Sequence, residues 1–196
     1  LPRDPFQRLI EANRIDQRKT RHATWGELVD YCAYSANPVG DLVLRLMECR
    51  DERSAALSDA TCTALQLANF WQDVARDWDK GRIYLPVEDR ARFDVTEEMI
   101  ASKQAGREFR SLLAFEVERT RALFRTGLGL VGKVPERCRT MMLLFTRGGW
   151  GILDKIEALG FDTLTRRPAW TKPEMAKLVI STWWNRDRIL ADPSRL

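Results

Sequence analysis

Histidine is nearly missing from this 196-residue chain: His22 is the single one. Cysteine–histidine zinc centres and Ser–His–Asp triads therefore lack the residues they are usually chosen from. His22 itself, a lone polar residue ahead of a helix, reads as a surface residue. Cys32, Cys49, Cys62 and Cys138 form no CxxC pair and no dense framework. Free, mostly buried thiols in a reducing compartment are the simpler account, and a cytoplasmic location is expected. Glycine and proline are sparse, at 11 and 8 residues, and no segment is repetitive or of low complexity, so a disordered chain is not expected. No apolar run approaches the ~18 residues of a membrane span, and no signal peptide is recognised ahead of Leu1. The net charge of +4 suits an anionic substrate, or peripheral contact with an anionic membrane at its inner face. The basic residues are scattered and form no stripe, so a nucleic-acid partner is not expected.

What is present is long helical periodicity, which points to an all-α fold, with residues 1–196 forming a single domain. The stretch Ala64 to Pro86, ALQLANFWQDVARDWDKGRIYLP, organises the rest. At about 100° per residue, Gln66, Asn69, Asp73 and Asp77 fall within an arc of roughly 80° on a helix. Leu65, Leu67, Ala68, Phe70, Trp71 and Val74 cover most of the remainder. A surface helix has one apolar stripe on a polar body; this is the reverse. Buried amides and carboxylates need partners, and two carboxylates one turn apart repel. A Mg²⁺ ion answers both demands, because it takes one or two carboxylates and completes its shell with water and phosphate oxygens. Asn69, Asp73 and Asp77 are the candidate metal ligands, with Gln66 and Asn69 toward a polyanion.

Around this stretch the expected elements run as follows. Asp4 to Arg14 is a short helix and 14–21 a solvated connection. Thr24 to Glu27 has capping-box spacing and opens a helix through Tyr31 and Cys32. Pro38 breaks or kinks that helix, and Gly40 permits close approach by a neighbour. Such a break frees backbone groups for a ligand. Tyr31 beside it reads equally as core or as a ligand-facing residue, whereas Tyr34 reads as core. Residues 51–57 read as a charged turn, with Ser58 or Asp59 capping the central helix, which Gly81 ends. Lys80 and Arg82 could reach a phosphate or simply complement a helix C-terminus. Residues 87–95 read as loop, Thr96 to Thr126 as one long helix, and 127–135 as a turn. Glu136 to Leu159 reads as a helix interrupted at Gly148–Gly151, whose methionines and aromatics are core or the wall of an apolar ligand site. Gly160 closes it, and Thr171 to Glu174 caps a final helix through Trp183 and Trp184.

Two motifs, YCAYSANPVG and LQLANFWQDVARDWDKGRIYLP, resemble the squalene/phytoene synthase family of head-to-head prenyl synthases. The wording SANPVG followed by NFWQDV is most similar to its hydroxysqualene synthase branch. Weaker similarity continues through FTRGGWGILDKIEALGFDTLTRRP. The resemblance implies an all-helical isoprenoid-synthase bundle around a deep apolar cavity, with diphosphate held by Mg²⁺ between two aspartate-rich helices. By motif it makes Asp73 and Asp77 the second aspartate pair, supported by Asn69 and Gln66. Tyr31 then takes the place of the family tyrosine near the ionising substrate, and Trp150 and Arg167 fall near positions that line the site. Gln72 stands where many relatives have arginine. No first DxxxD cluster precedes Tyr31, which implies a chain without the family's first helices and with half of the metal clamp.

The implied reaction is loss of pyrophosphate from presqualene diphosphate, rearrangement, and capture by water to give hydroxysqualene. The sibling reading condenses two farnesyl diphosphates to squalene, presqualene diphosphate or a phytoene-like product. A non-catalytic lipid-binding helical module is the rival from another class.

Overall fold

Prolines, caps and positive-φ turns divide the chain into ten α-helices among the described residues, and every one of these elements packs on or near α4. The computed structural model describes residues 1–191, leaving aside the side chains of 187, 190 and 191. The helices are α1 (Asp4–Arg18), α2 (Trp25–Ser35), α3 (Asn37–Leu46), α4 (Glu52–Gln72), α5 (Val74–Asp79), α6 (Val87–Arg92), α7 (Glu97–Ala101), α8 (Arg107–Gly127), α9 (Glu136–Ala158) and α10 (Lys172–Ala191), with a 3-10 turn at Leu128–Gly132. Extended pairing is limited, among the described residues, to one isolated bridge between Arg21 and Ile83. The all-α expectation is met.

Helix α4 is the hub. It packs on α2, α3, α8 and α9, so nearly its whole circumference is covered, as its unusual polarity pattern requires. Trp71 is fully buried in the main core with Leu28, Leu67, Phe109, Leu112 and Phe124. Its indole N–H donates to Thr120 Oγ1 at 2.8 Å, which keeps a large apolar side chain from burying an orphan donor. A smaller core joins Leu44, Leu130, Val131, Met142, Leu143 and Ile189.

Several expected boundaries move, each for a visible reason. Helix α1 runs on to Arg18, with Arg18 and Arg14 held to Glu11 on its exposed face. Helix α4 begins seven residues earlier than the Ser58–Asp59 cap, because Asp51 accepts the Ser54 amide at 2.7 Å and residues 52–57 are helical. The 87–95 stretch contains α6. The long 96–126 helix is two, since Lys103 adopts φ 53° after α7. Conversely, α9 runs unbroken through Gly148–Gly151. There a Cβ on Gly149 would lie 2.5 Å from Phe124, and one on Gly151 2.3 Å from Trp170. Those glycines serve close packing instead of a break. The predicted break at Pro38 is present: α2 ends at Ser35 and α3 starts at Asn37. Both capping boxes form in part or whole, with Thr24 accepting from Glu27 and Thr171 exchanging bonds with Glu174.

One buried charge cluster lies away from α4's polar file. Glu116 of α8 is fully buried, and Arg119 donates to both Glu116 Oε2 at 3.0 Å and Asp89 Oδ2 of α6 at 2.6 Å. Glu116 Oε1 is buried without a partner. Burial, opposed by Arg119 and reinforced by Asp89, pushes the Glu116 carboxyl up to about 8. Its folded pKa lies above the unfolded one, so its contribution is fully present in acid and drains as pH rises to about 8. Wild type is expected to lose on the order of 2–4 kcal/mol across that range from this group, while Glu116→Gln stays flat. Urea unfolding of both proteins at pH 6 and pH 8.5 measures the difference; parallel profiles would contradict the assignment.

Candidate active site

The polar file on α4 starts at Gln66, continues through the exposed Asn69, and reaches Asp73 where the helix ends. The expected continuous helix to Gly81 is corrected here. Asp73 has φ −107° and ψ 16°, its amide is shared between the Asn69 and Phe70 carbonyls, and α5 restarts at Val74. The Asp77 amide still donates to the Asp73 carbonyl at 2.9 Å, so the two aspartates remain one turn apart. Gly81, at φ +78°, ends α5 as expected.

Arg167, from the link before α10, clasps Asp73 with two bonds, Nε to Oδ1 at 2.6 Å and Nη2 to Oδ2 at 2.9 Å. This planar, bidentate match brings together two predicted site residues 94 positions apart. The Asp73 carboxylate holds the guanidinium pKa above its ordinary value. Gln72 sits just below, 6% exposed, and its amide donates to the Pro168 carbonyl. It anchors the arginine-bearing segment and faces away from the polar file.

Asp77 joins a second group. Its side chain is 14% exposed and has Lys80 Nζ at 4.0 Å. Burial first, then Asp73 and Asp16, push its carboxyl up to about 6 against Lys80 and Arg82. Asp16 of α1 accepts from the Tyr84 hydroxyl at 3.0 Å and pairs with Arg82 at 3.5 Å. Tyr31 is 6% exposed, stacked 5.9 Å from Tyr84 and 6.2 Å from Phe70. Burial, with Asp16 and Tyr84 beside it, raises the Tyr31 hydroxyl well above its ordinary range, so Tyr31 is a proton-bearing donor.

Asp16, Tyr84 and Phe70 therefore belong to the site although the sequence reading passed over their role. Tyr84 had a signal: it follows Arg82 directly in the quoted motif. Asp16 had none while 14–21 read as a solvated link. His22 is corrected as well: it is 2% exposed, against Tyr31 and Tyr84, and burial lowers its pKa. Tyr34, expected in the core, is 38% exposed. Trp150 stands apart from the acidic residues, at the α8–α9 seam against Phe124, Arg121 and Arg125. Lys80 is exposed at the rim. The cysteines are free, with Cys32 and Cys138 buried and the other two half-buried.

Next to this polar end lies a cavity of about 150 Å³ between α3, α4, the 3-10 turn and α9. Its α4 wall is Ser58, Thr61, Cys62 and Leu65, the last one turn before Asn69. The lining hydroxyls of Thr61 and Thr146 are spent on the Leu57 and Met142 carbonyls, so what faces the hollow is almost wholly apolar. One helix thus carries a hydrocarbon wall and, a turn further, a file of oxygen donors.

A squalene/phytoene synthase family profile matches residues 1–174. The chain belongs to the squalene/phytoene synthase family. Among curated relatives, the chloroplastic phytoene synthase of Daucus carota is 32% identical over 97% of this chain and 48% of its own length. Phytoene synthase 1 of Zea mays is 31% identical over 83% of this chain and 41% of its own. The chain thus spans about half the length of the curated relatives it matches. The crystal structure of squalene synthase HpnC from Alicyclobacillus acidocaldarius is 49% identical, with a TM-score of 0.80 over 83% of this chain and 62% of that one. A ligand-bound dehydrosqualene synthase shares the fold at TM-score 0.88 and 23% identity, over 96% of this chain. Members of this family are isoprenoid biosynthetic enzymes. No helix among the described residues is long and apolar enough to cross a membrane.

The donor chemistry of this family site suits a hard cation. Among the described residues no three acidic, cysteine or histidine side chains converge into a finished metal cage. Mg²⁺ does not need one, since one or two carboxylates and substrate phosphates suffice. Asp77, a carboxylate whose charge is disfavoured by burial and by Asp73, is the kind of ligand a divalent ion relieves.

Proposed function

We propose that this chain carries one side of the site of a Mg²⁺-dependent enzyme that converts presqualene diphosphate to hydroxysqualene with loss of pyrophosphate. The observation that carries the reading is the adjacency on α4 of the apolar cavity wall and the Asn69–Asp73–Asp77 file. Asn69, Asp73 and Asp77 would hold Mg²⁺, which when bound supplies positive charge to the leaving diphosphate. Arg167 releases Asp73 and takes up phosphate oxygens, with Lys80 and Arg82 adding charge at the rim and Gln66 orienting the bound headgroup. Tyr31 keeps its proton and donates a hydrogen bond to the departing oxygen. The cavity wall receives the hydrocarbon and keeps bulk water from the carbocation until one water captures it. Trp150, at the α8–α9 seam, takes a supporting part by stiffening that wall. The opposing acidic cluster, absent from these 196 residues, would complete the grip, so the chain alone is expected to turn over poorly.

The burial of Gln72 favours the single-substrate step. A condensing enzyme handles two diphosphates, and here a neutral amide tied to the Pro168 carbonyl stands where many relatives place a cation. The phytoene synthase relatives favour the second reading, condensation of prenyl diphosphates. Supplying presqualene diphosphate and farnesyl diphosphate separately, with Mg²⁺, to an enzyme holding both acidic clusters decides between them. Hydroxysqualene from the first substrate alone is expected; squalene or a phytoene-like hydrocarbon from the second would replace this reading.

A further inference from the structure

Helix α10 rests on α9 through one face only. Lys155 meets Glu174 in an ion pair, Arg147 donates to Ser181 and Thr182, and Arg186 pairs with Glu136. Thr182 and Ile189 are buried in that seam. At about 100° per residue, Met175, Ala176, Val179, Ile180, Trp183 and Trp184 fill roughly the opposite half of the helix. They are strongly exposed: Trp184 75%, Trp183 67%, Ile180 65%, Met175 54% and Val179 50%. Two adjacent tryptophans at such exposure make no sense as an aqueous surface.

We propose that this face of α10 docks on the surface of an anionic phospholipid bilayer. Tryptophan is the side chain best suited to that depth, with an apolar ring for the acyl boundary and an N–H for the headgroups. Charge fixes the choice of occupant. Lys172, Lys177 and Arg188 border the apolar face, are exposed, and have no ion-pair partner among the described residues. The acid on the same helix, Glu174, is already engaged by Lys155 and Thr171. In a two-fold dimer this rim would meet its own like charges, whereas anionic headgroups complement it. A helix lying in the interface with an apolar face and a basic rim needs no span of the bilayer.

The test is vesicle flotation of the 196-residue chain with phosphatidylcholine alone and with a 3:1 phosphatidylcholine–phosphatidylglycerol mixture, without any prenyl diphosphate. Because no substrate is present, the result is independent of the reaction assigned above. Wild type is expected to float with the anionic vesicles, and at least tenfold less with neutral ones. Trp183→Ser/Trp184→Ser should reduce partition at least tenfold with an unchanged circular dichroism spectrum and melting temperature. Lys172→Glu/Lys177→Glu should lose the preference for anionic lipid while keeping its fold. Failure of wild type to float, or equal flotation of the tryptophan variant, overturns the proposal. So does a wild-type dimer in light scattering that the tryptophan variant dissociates, since that assigns the face to a second copy.

Discussion

Asp77→Asn is expected to give a protein that is more stable without metal and nearly inert as an enzyme. The Asp77 carboxyl is raised from 3.8 to about 6 by burial, helped by Asp73 and Asp16 and opposed by Lys80 and Arg82. With the folded value above the unfolded one, its contribution is present in acid and disappears as pH climbs through about 6. Near pH 7.5 the fold therefore carries an anion that it disfavours, by on the order of 1–2 kcal/mol. Asparagine keeps the shape and removes the charge, so melting in EDTA should rise and its dependence on pH between 4 and 7 should flatten. The same change removes a ligand. Stabilisation by Mg²⁺ with inorganic pyrophosphate, which wild type should show through linkage, is expected to vanish, and turnover to fall roughly 10³-fold or more. A variant that is less stable in EDTA, or that still responds to Mg²⁺ and pyrophosphate, would remove Asp77 from the proposed site.

The second large effect is structural. Gly127 ends α8 where it presses on α4, and a Cβ there would lie 2.1 Å from Thr61 Oγ1 and 3.0 Å from the Thr61 amide nitrogen. The hydroxyl can be moved; the backbone cannot move without shifting the hub helix. Gly127→Ala should therefore cost about 2–3 kcal/mol, as overpacking in a dense core does, and lower the melting temperature by roughly 5–10 °C. Thr61→Ala removes the nearest atom. The double variant should recover part of the loss, giving a coupling energy of about 1 kcal/mol in a double-mutant cycle. Strict additivity would show that the contact is relieved elsewhere. Gly127 and Thr61 also line the apolar cavity, so the pair connects helix packing with the shape of that hollow.

Much of this site was legible because its signals are local. The reversed polarity of residues 64–81 marks α4, and Pro38 and Gly81 mark its neighbours' ends by backbone chemistry alone. What the chain order hides is the partnership of distant segments. Arg167 meets Asp73 across 94 positions, and Asp16 meets Tyr84 across 68; no periodicity announces either. Misread boundaries share one cause. Charged residues at 14–18 and 51–57 look solvated, and they are, but a solvated face does not prevent a helix when the other face is buried or a cap such as Asp51 is in place. The glycines of α9 failed as break signals for the opposite reason, since tight contact with Phe124 and Trp170 stabilises what intrinsic propensity disfavours.

The clasp of Arg167 on Asp73 has a consequence for how ligands arrive. Each partner is the other's counter-ion, so a cation alone must evict a guanidinium and an anion alone must evict a carboxylate. When both arrive, the evicted groups find new partners of opposite sign in the same step. On the proposed reading, metal and diphosphate therefore bind with synergy, each strengthening the other's affinity by an equal factor, and neither is retained well by itself.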